Sequence, residues 1–305
     1  MKERHIIEVI NPEKQPKLIV IGGMHGNETS GVDAINNIVK KLKPIINSIN
    51  GSIYFLKGNI SAIDNKERFI DKDLNRLWTQ KYIEKKDVHI ADIKELKELH
   101  QLITEDICKG NFKDCIFLDL HTFSANSGIF CIPASNKKSL DLAASFRIPF
   151  IEKLSDSLPG TALSYFGKKG MTSIVVEGGT HQTEEAVKNL EAAIWHILGY
   201  LNFIDKHNPE IVTSEKRLQK KGENFPYHLE LAYRHQLDDS QVFKMNEGYY
   251  NFKKIKKEEP LAIEKNKTVK SPNAGFMLMP LYQKKGSDGF FIVEEIKDVY
   301  EKTQI

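Results

Sequence analysis

The stretch that decides the fold is Leu18-Ile-Val-Ile21-Gly22-Gly-Met-His25-Gly-Asn-Glu28. A short, wholly apolar, β-rich run reads as a strand buried on both faces, and the glycines after it mark a turn. Val32, Ile35, Val39 and Leu42 then recur at helical spacing until Pro44 stops them. Strand, turn and helix in that order are the unit of α/β sheets, which gather ligands at the carboxyl ends of their strands. His25 and Glu28 stand at such an end.

The same grammar extends outward. Ile53–Leu56, Ile116–Leu120, Ile129–Ile132 and Ile174–Val176 are further strand candidates. Helical periodicity returns at Ile93, Leu96, Leu99, Ile103 and Ile107. It appears again at Val187, Leu190, Ile194, Ile197 and Leu201, with Thr183 as N-cap and Glu184 and Glu185 in the positive first turn. The class expected is α/β, with a mixed, largely parallel sheet between helix layers. After Lys206 the texture changes to short strand-like runs at Gln241–Met245, Tyr249–Ile255, Leu261–Glu264 and Phe276–Leu281. Two domains are therefore expected, 1–206 carrying the chemistry and 207–305 as a smaller C-terminal β domain. Between Gly58 and about Asp87 runs a long connection with little periodicity, which carries Arg68, Asp71, Asp73, Asn75 and Arg76 and is pinned by Phe69, Leu74, Leu77 and Trp78. Loops of that length in a compact domain are usually functional.

Composition narrows the partners. The 305 residues are 40% hydrophobic and 28% charged, which excludes collagen, coiled coil and wholesale disorder. A net charge of +3 is too weak a field to imply a nucleic acid or an anionic membrane surface. The lysine-rich span 253–270 reads as a solvated face. The apolar run 192–204 is too short to span a bilayer, and the charged opening MKERHIIEVI lacks the apolar core of a secretory signal, so a cytoplasmic protein is expected. Cys108, Cys115 and Cys131 form no C-x-x-C pair and read as buried free thiols.

Three apolar strands end in chemistry-bearing residues: His25 and Glu28 after the first, Asp119-Leu-His121 at the tip of another, and Glu177 after Ile174-Val-Val176. An imidazole and a carboxylate three residues apart can meet across one turn, and His121 completes a His₂Glu set of the kind that holds catalytic zinc with one position open to water. Asp119, two residues from His121 on one strand, shares its face and can orient the imidazole. Glu177 is the candidate general base. Taken singly, an H-x-x-E, a strand histidine and a glutamate before glycines occur by chance. Gly22-Gly-Met-His-Gly matches neither G-x-G-x-x-G nor a P-loop, so a phosphate cradle is not supported.

His25-Gly-Asn-Glu28, Arg68-Phe-Ile-Asp-Lys-Asp-Leu-Asn75-Arg76, Asp119-Leu-His121 and Glu177, in that order, resemble the succinylglutamate desuccinylase/aspartoacylase family, relatives of the zinc carboxypeptidases. The resemblance covers Leu18 to Gly179, and more loosely Gly275-Phe-Met-Leu-Met-Pro and Asp288-Gly-Phe-Phe. It implies one zinc per chain on His25, Glu28 and His121, with Glu177 passing a proton from water to the leaving amine. Arg68 would polarise the scissile carbonyl, Asn75 and Arg76 would bind a substrate carboxylate, and Asp119 and Asp73 would support the ligands. Where relatives carry a further arginine about ten residues before the base, this chain has Gly167 followed by Lys168 and Lys169, so either lysine is the candidate to replace it. The partner implied is a small anionic N-acyl amino acid, and a homo-oligomer is possible. The competing functions are a metallocarboxypeptidase acting on short or modified peptides and a non-catalytic zinc- or ligand-binding module. Phe243-Lys-Met offers only a faint biotinyl-like motif.

Overall fold

Leu18 and Val20 face one apolar layer and Ile19 and Ile21 the other, and all four are buried. That double burial explains why the run shows no polar alternation. The computed structural model describes residues 3–86, 89–238 and 242–296. Among them are fourteen strands: β1 Ile6–Ile10, β2 Lys17–Gly22, β3 Ser52–Lys57, β4 Cys115–Phe123, β5 Phe130–Pro133, β6 Phe150–Glu152, β7 Thr172–Thr180, β8 His228–Gln236, β9 Phe243–Met245, β10 Lys254–Ile255, β11 Pro260–Glu264, β12 Lys267–Lys270, β13 Gly275–Leu278 and β14 Asp288–Glu295. The α-helices are α1 Ser30–Leu42, α2 Ile60–Asn65, α3 Gln80–Ile83, α4 Ala91–Gln101, α5 Lys137–Ser145, α6 Leu154–Ser157, α7 Ala162–Lys168, α8 Glu184–Tyr200 and α9 Pro209–Gly222.

Eleven strands form one sheet in the order β1-β3-β2-β4-β7-β5-β6-β8-β14-β13-β10, and β12-β11-β9 form a second, smaller one. The large sheet is mixed: β3-β2-β4-β7 run parallel at its centre, β5 is antiparallel to β7, and the far end from β8 onward is antiparallel. Side chains of α1, α8 and α9 cover one face (Ile35, Ile38, Leu190, Ile194, Ile211), and those of α4 and α7 cover the other (Ile93, Leu96, Leu99, Phe166). The sheet lies between helix layers. The expected strands all fall within β2, β3, β4, β5 and β7, though Ile129 precedes β5, and α8 is capped by Thr183, whose Oγ1 accepts from Ala186 N. Helix α4 continues as a π-type turn to Ile107, which keeps Ile103 and Ile107 buried.

Several expectations need correction. The segment after Lys206 opens with the fourteen-residue α9, not with strands; Asn208 Oδ1 caps it and Pro209 fits its first turn. Tyr249–Ile255 is mostly turn, with only Lys254–Ile255 extended, and Phe276–Leu281 is strand only to Leu278. Gln241 lies outside the described residues, as does Asp87. The connection from Gly58 holds the short helices α2 and α3 and a 3₁₀ turn at Leu74–Arg76, and Leu74, Leu77 and Trp78 are buried. As for domains, β8 pairs in parallel with β6, so the C-terminal strands continue the sheet that carries the candidate site. We propose Lys206 as a boundary between a catalytic part and an appended part that shares its sheet.

Candidate active site

Strands β4 and β7 are hydrogen-bonded neighbours with His121 opposite Glu177 in register, so the two side chains leave the sheet side by side. Along β4 the face alternates, placing Phe117, Asp119 and His121 on one side. Phe117 belongs to the apolar layer there, and the polar residues begin where that layer ends. At the end of β2 the chain turns sharply: Gly23 has φ +77°, and a Cβ on Gly26 would lie 2.0 Å from the Ala62 carbonyl carbon. That absence of a side chain lets the 58–73 connection press against the His25 turn, where Gly26 N donates to Arg68 O at 3.3 Å. Asp92 holds the connection from behind, its carboxylate accepting from Ile70 N, Asp71 N, Lys72 N and Asn59 Nδ2.

His25, Glu28 and His121 converge, with one candidate ligand atom from each within 4.8 Å of the others. His25 Nδ1 is 2.8 Å from Glu28 Oε1, and His121 Nδ1 is 3.1 Å from Glu28 Oε2. On the outer side, His25 Nε2 is 3.1 Å from Asp73 Oδ1 and His121 Nε2 is 3.0 Å from Asp119 Oδ2. Each ring thus turns Nδ1 toward Glu28 and Nε2 toward an outer carboxylate, so that with its proton on Nε2 each would have Nδ1 free to ligate a cation. The donor set, two imidazoles and a carboxylate, fits a borderline divalent ion such as zinc. Burial pushes the Glu28 carboxyl up, but His25 and His121 outweigh it and hold the group well below the ordinary range. Burial likewise lowers His121, and Asp119 with Glu28 overcomes it, so that its affinity for a proton rises well above normal.

Glu177 is buried, and its Oε2 has no hydrogen-bond partner. Burial, reinforced by Glu28 and Asp119 against the pull of His121 and Arg68, lifts its pKa to about 8. Arg68 reaches Glu28 Oε1 (3.2 Å) and Asp73 Oδ2 (3.3 Å). Asn75 Oδ1 accepts from Ala162 N, which turns Nδ2 to the His121 side, 3.5 Å from Nε2. Arg76 donates to Asn75 O, Ser287 Oγ and Asp288 Oδ2 (2.9 Å), and Asp288 also accepts from Arg234 Nε.

These residues open on one cavity of about 120 Å³. His25, Glu28, Arg68, Asn75, Arg76, His121 and Glu177 all line it, and Asp73 and Asp119 stand behind the two imidazoles. Lys168 and Lys169 are not brought there. They precede β7 at Thr172, whereas Glu177 lies five residues along the strand toward its carboxyl end, roughly 17 Å at 3.3 Å per residue. Lys168 lines a separate depression, and Lys169 Nζ sits over the rings of Tyr165 and Phe112 at 5.0 and 5.4 Å. Both are therefore withdrawn as substrate contacts. Ser287, Asp288 and Gln283, with His181 bonded to Thr122 Oγ1 and near Gln283 Oε1, were not anticipated. Asp288-Gly-Phe-Phe reads in sequence as part of a β domain, and nothing in its composition marks Asp288 as a partner of Arg76.

The sequence profile of the succinylglutamate desuccinylase/aspartoacylase catalytic domain matches residues 14–200. The chain belongs to this family. A succinylglutamate desuccinylase of Shewanella frigidimarina is 31% identical over 115 residues, 37% of this chain and 34% of that protein. A probable aspartoacylase of Trichodesmium erythraeum is 31% identical over 120 residues, 39% and 40% of the two chains. The matched stretch thus spans well under half of these relatives' length. In shape, this desuccinylase/aspartoacylase-family chain is similar to a succinylglutamate desuccinylase/aspartoacylase from Rhodobacter sphaeroides (TM-score 0.68, 18% identity, covering 94% and 88%). It is also similar to murine aminoacylase 3 (TM-score 0.63, 16% identity, covering 94% and 97%). Both likenesses establish the fold of the family member. Among its described residues no helix is long and apolar enough to cross a membrane.

Proposed function

We propose that this chain is a zinc-dependent amidohydrolase that removes the acyl group from a small N-acyl amino acid. The observation that carries the reading is Glu177, buried and unpartnered at Oε2, beside a His₂Glu cluster in one cavity. His25, Glu28 and His121 would hold the ion, and when bound it supplies Lewis acidity to the attacking water and to the scissile carbonyl. Glu177 Oε2 takes the water's proton and returns it to the leaving nitrogen, so one water and one amide become a carboxylate and an amine. Burial raises the proton affinity of Glu177 above that of an exposed carboxylate, and a cation beside it would bring it back toward the range in which it can both take and return a proton. Arg68, held by Glu28 and Asp73, offers its donors to the oxygen that gains negative charge.

Arg76 has five N–H donors, three of which are engaged; one on each terminal nitrogen remains for a substrate carboxylate. Asn75 Nδ2 assists. The rest of the cavity includes Ile132, Leu158, Leu163, Val175 and Phe291, which favours an apolar acyl group or side chain over a second carboxylate. The cavity is of small-molecule size and residues 279–281, 283 and 286–288 line part of its wall, which favours a deacylase over a carboxypeptidase taking peptides. A hydrolysis screen of N-acetyl, N-formyl and N-succinyl amino acids, with acidic and apolar side chains, tests the proposal on zinc-reconstituted protein. Turnover of at least one class supports it. Cleavage of short unacylated peptides in place of N-acyl amino acids would move the assignment to a carboxypeptidase.

A further inference from the structure

A second group of ligand-type side chains lies outside the cavity. His5, at the end of a 3₁₀ turn before β1, faces Glu95 and Glu98, one turn apart on α4. His5 and Glu95 are 0% and 1% exposed, and Glu98 is 18% exposed. His5 Nδ1 lies 3.1 Å from Lys57 O, a group that can only accept, so the neutral ring carries its proton on Nδ1 and a lone pair on Nε2. That lone pair looks at Glu95 Oε2 (3.4 Å) and Glu98 Oε2 (3.5 Å). Neither His5 Nε2 nor Glu95 Oε2 has a hydrogen-bond partner. The other oxygen of Glu95 is filled by Ser61 N, Ser61 Oγ and Arg4. Glu98 Oε2 accepts from Arg4 Nη1 at 3.1 Å, but His5 Nε2 and Glu95 Oε2 are buried acceptors that face each other without a donor, which is costly, and a cation among the three removes the cost.

The spacing from His5 fits a small tetrahedral cation. Ligand atoms at about 2.0–2.1 Å from a tetrahedral zinc are about 3.3–3.4 Å apart, and the observed separations are 3.4 and 3.5 Å. We propose that His5 Nε2, Glu95 Oε2 and Glu98 Oε2 form a second zinc-type cation site, with water completing the coordination. Each carboxylate retains lone pairs for Arg4, whose guanidinium binds both. The site would tie the N-terminal segment to α4, and through Ser61 to α2, the helix against which the Gly26 turn packs. Its effect is therefore on stability and on the scaffold behind the cavity. The rival occupant is a proton, with His5 as an imidazolium between the two carboxylates.

Equilibrium dialysis of chelator-stripped protein against zinc decides between them. Wild type should bind two equivalents, His121→Ala one, and His121→Ala/Glu98→Gln should bind that one at least tenfold more weakly. Zinc should raise the Tm of His121→Ala and leave the double variant unmoved. Glu98, being partly exposed, is the substitution least able to disturb folding, and His5→Gln repeats the test from the other ligand. If His121→Ala binds zinc no better than the double variant, the second site is overturned and the proton is the occupant. One equivalent in wild type that His121→Ala keeps and Glu98→Gln alone removes would uphold this site while removing the metal from the cavity.

Discussion

At the scale of single residues, the account rests on groups whose charges are set by burial and neighbours. In metal-free protein Glu177 holds its proton to about pH 8, whereas the unfolded chain releases it near the ordinary 4.5. Between those values the folded state binds the extra proton, so the stability this group lends in acid is lost as pH rises through 4.5 to 8. Glu177→Gln, which cannot ionise, should stabilise stripped protein at pH 8 by on the order of a few kcal/mol, seen as a higher Tm, and by much less at pH 5. Thermal melts at the two pH values check this, and equal shifts would show that Glu177 is not held neutral. Arg68 and Arg76 should separate kinetically. In the proposed reaction Arg68 would face the charge that develops on the carbonyl oxygen, so Arg68→Ala should lower kcat by about 10²-fold. Arg76 would bind a carboxylate present throughout that reaction, so Arg76→Ala should chiefly raise KM. A matching loss in both constants for both variants would dissolve the distinction.

At the scale of elements, Asp92 ties α4 to the connection that carries the arginines. Its carboxylate takes three backbone N–H groups of residues 70–72 and the amide of Asn59, fixing the connection that carries Arg68 and Asp73. Asp92→Ala leaves the Asn59 amide buried without its partner and frees the backbone N–H groups of the exposed residues 70–72 to solvent, which should cost about 1–3 kcal/mol of stability while lowering kcat. Chemical denaturation with parallel kinetics measures both, and unchanged turnover would mean that the connection is held by its apolar residues alone. Legibility followed the same boundary between local and distant causes. The strand runs and the helix beginning at Val32 were readable because apolar spacing along one segment reports burial directly. His25, Glu28, His121 and Glu177 were readable because each ends such a run. Asp92 was not, since a buried aspartate on the exposed-looking pattern of α4 acquires its role only when a loop twenty residues upstream folds over it. Lys168 and Lys169 were misplaced because proximity to Glu177 in sequence crosses the whole length of a strand. Helix α9 was missed although Asn208-Pro209 is an N-cap and first-turn signal, because Ile211 and Leu218 are too sparse to show a period.

At the scale of the whole molecule, the cavity is a joint product of the central sheet and the appended strands. Met279, Pro280, Leu281, Ser287 and Asp288 line it, and the Arg76–Asp288–Arg234 chain ties that wall to the 58–78 connection. Leu229, Leu278, Phe291 and Val293 share an apolar cluster with Phe130, Ile132 and Ile151. A fragment ending at Lys206 would bare that cluster and the edge of β6, so it should lack a cooperative melt. A sharp transition near that of the full chain would show that the first part folds alone. The central claim is that Glu177 is the proton acceptor of a hydrolytic centre. Its most direct test is the rate of amine release from the best N-acyl amino acid, compared between wild type and Glu177→Gln at equal zinc content. The account predicts a fall of roughly 10²-fold or more with the metal retained. Equal rates in the two proteins would contradict it.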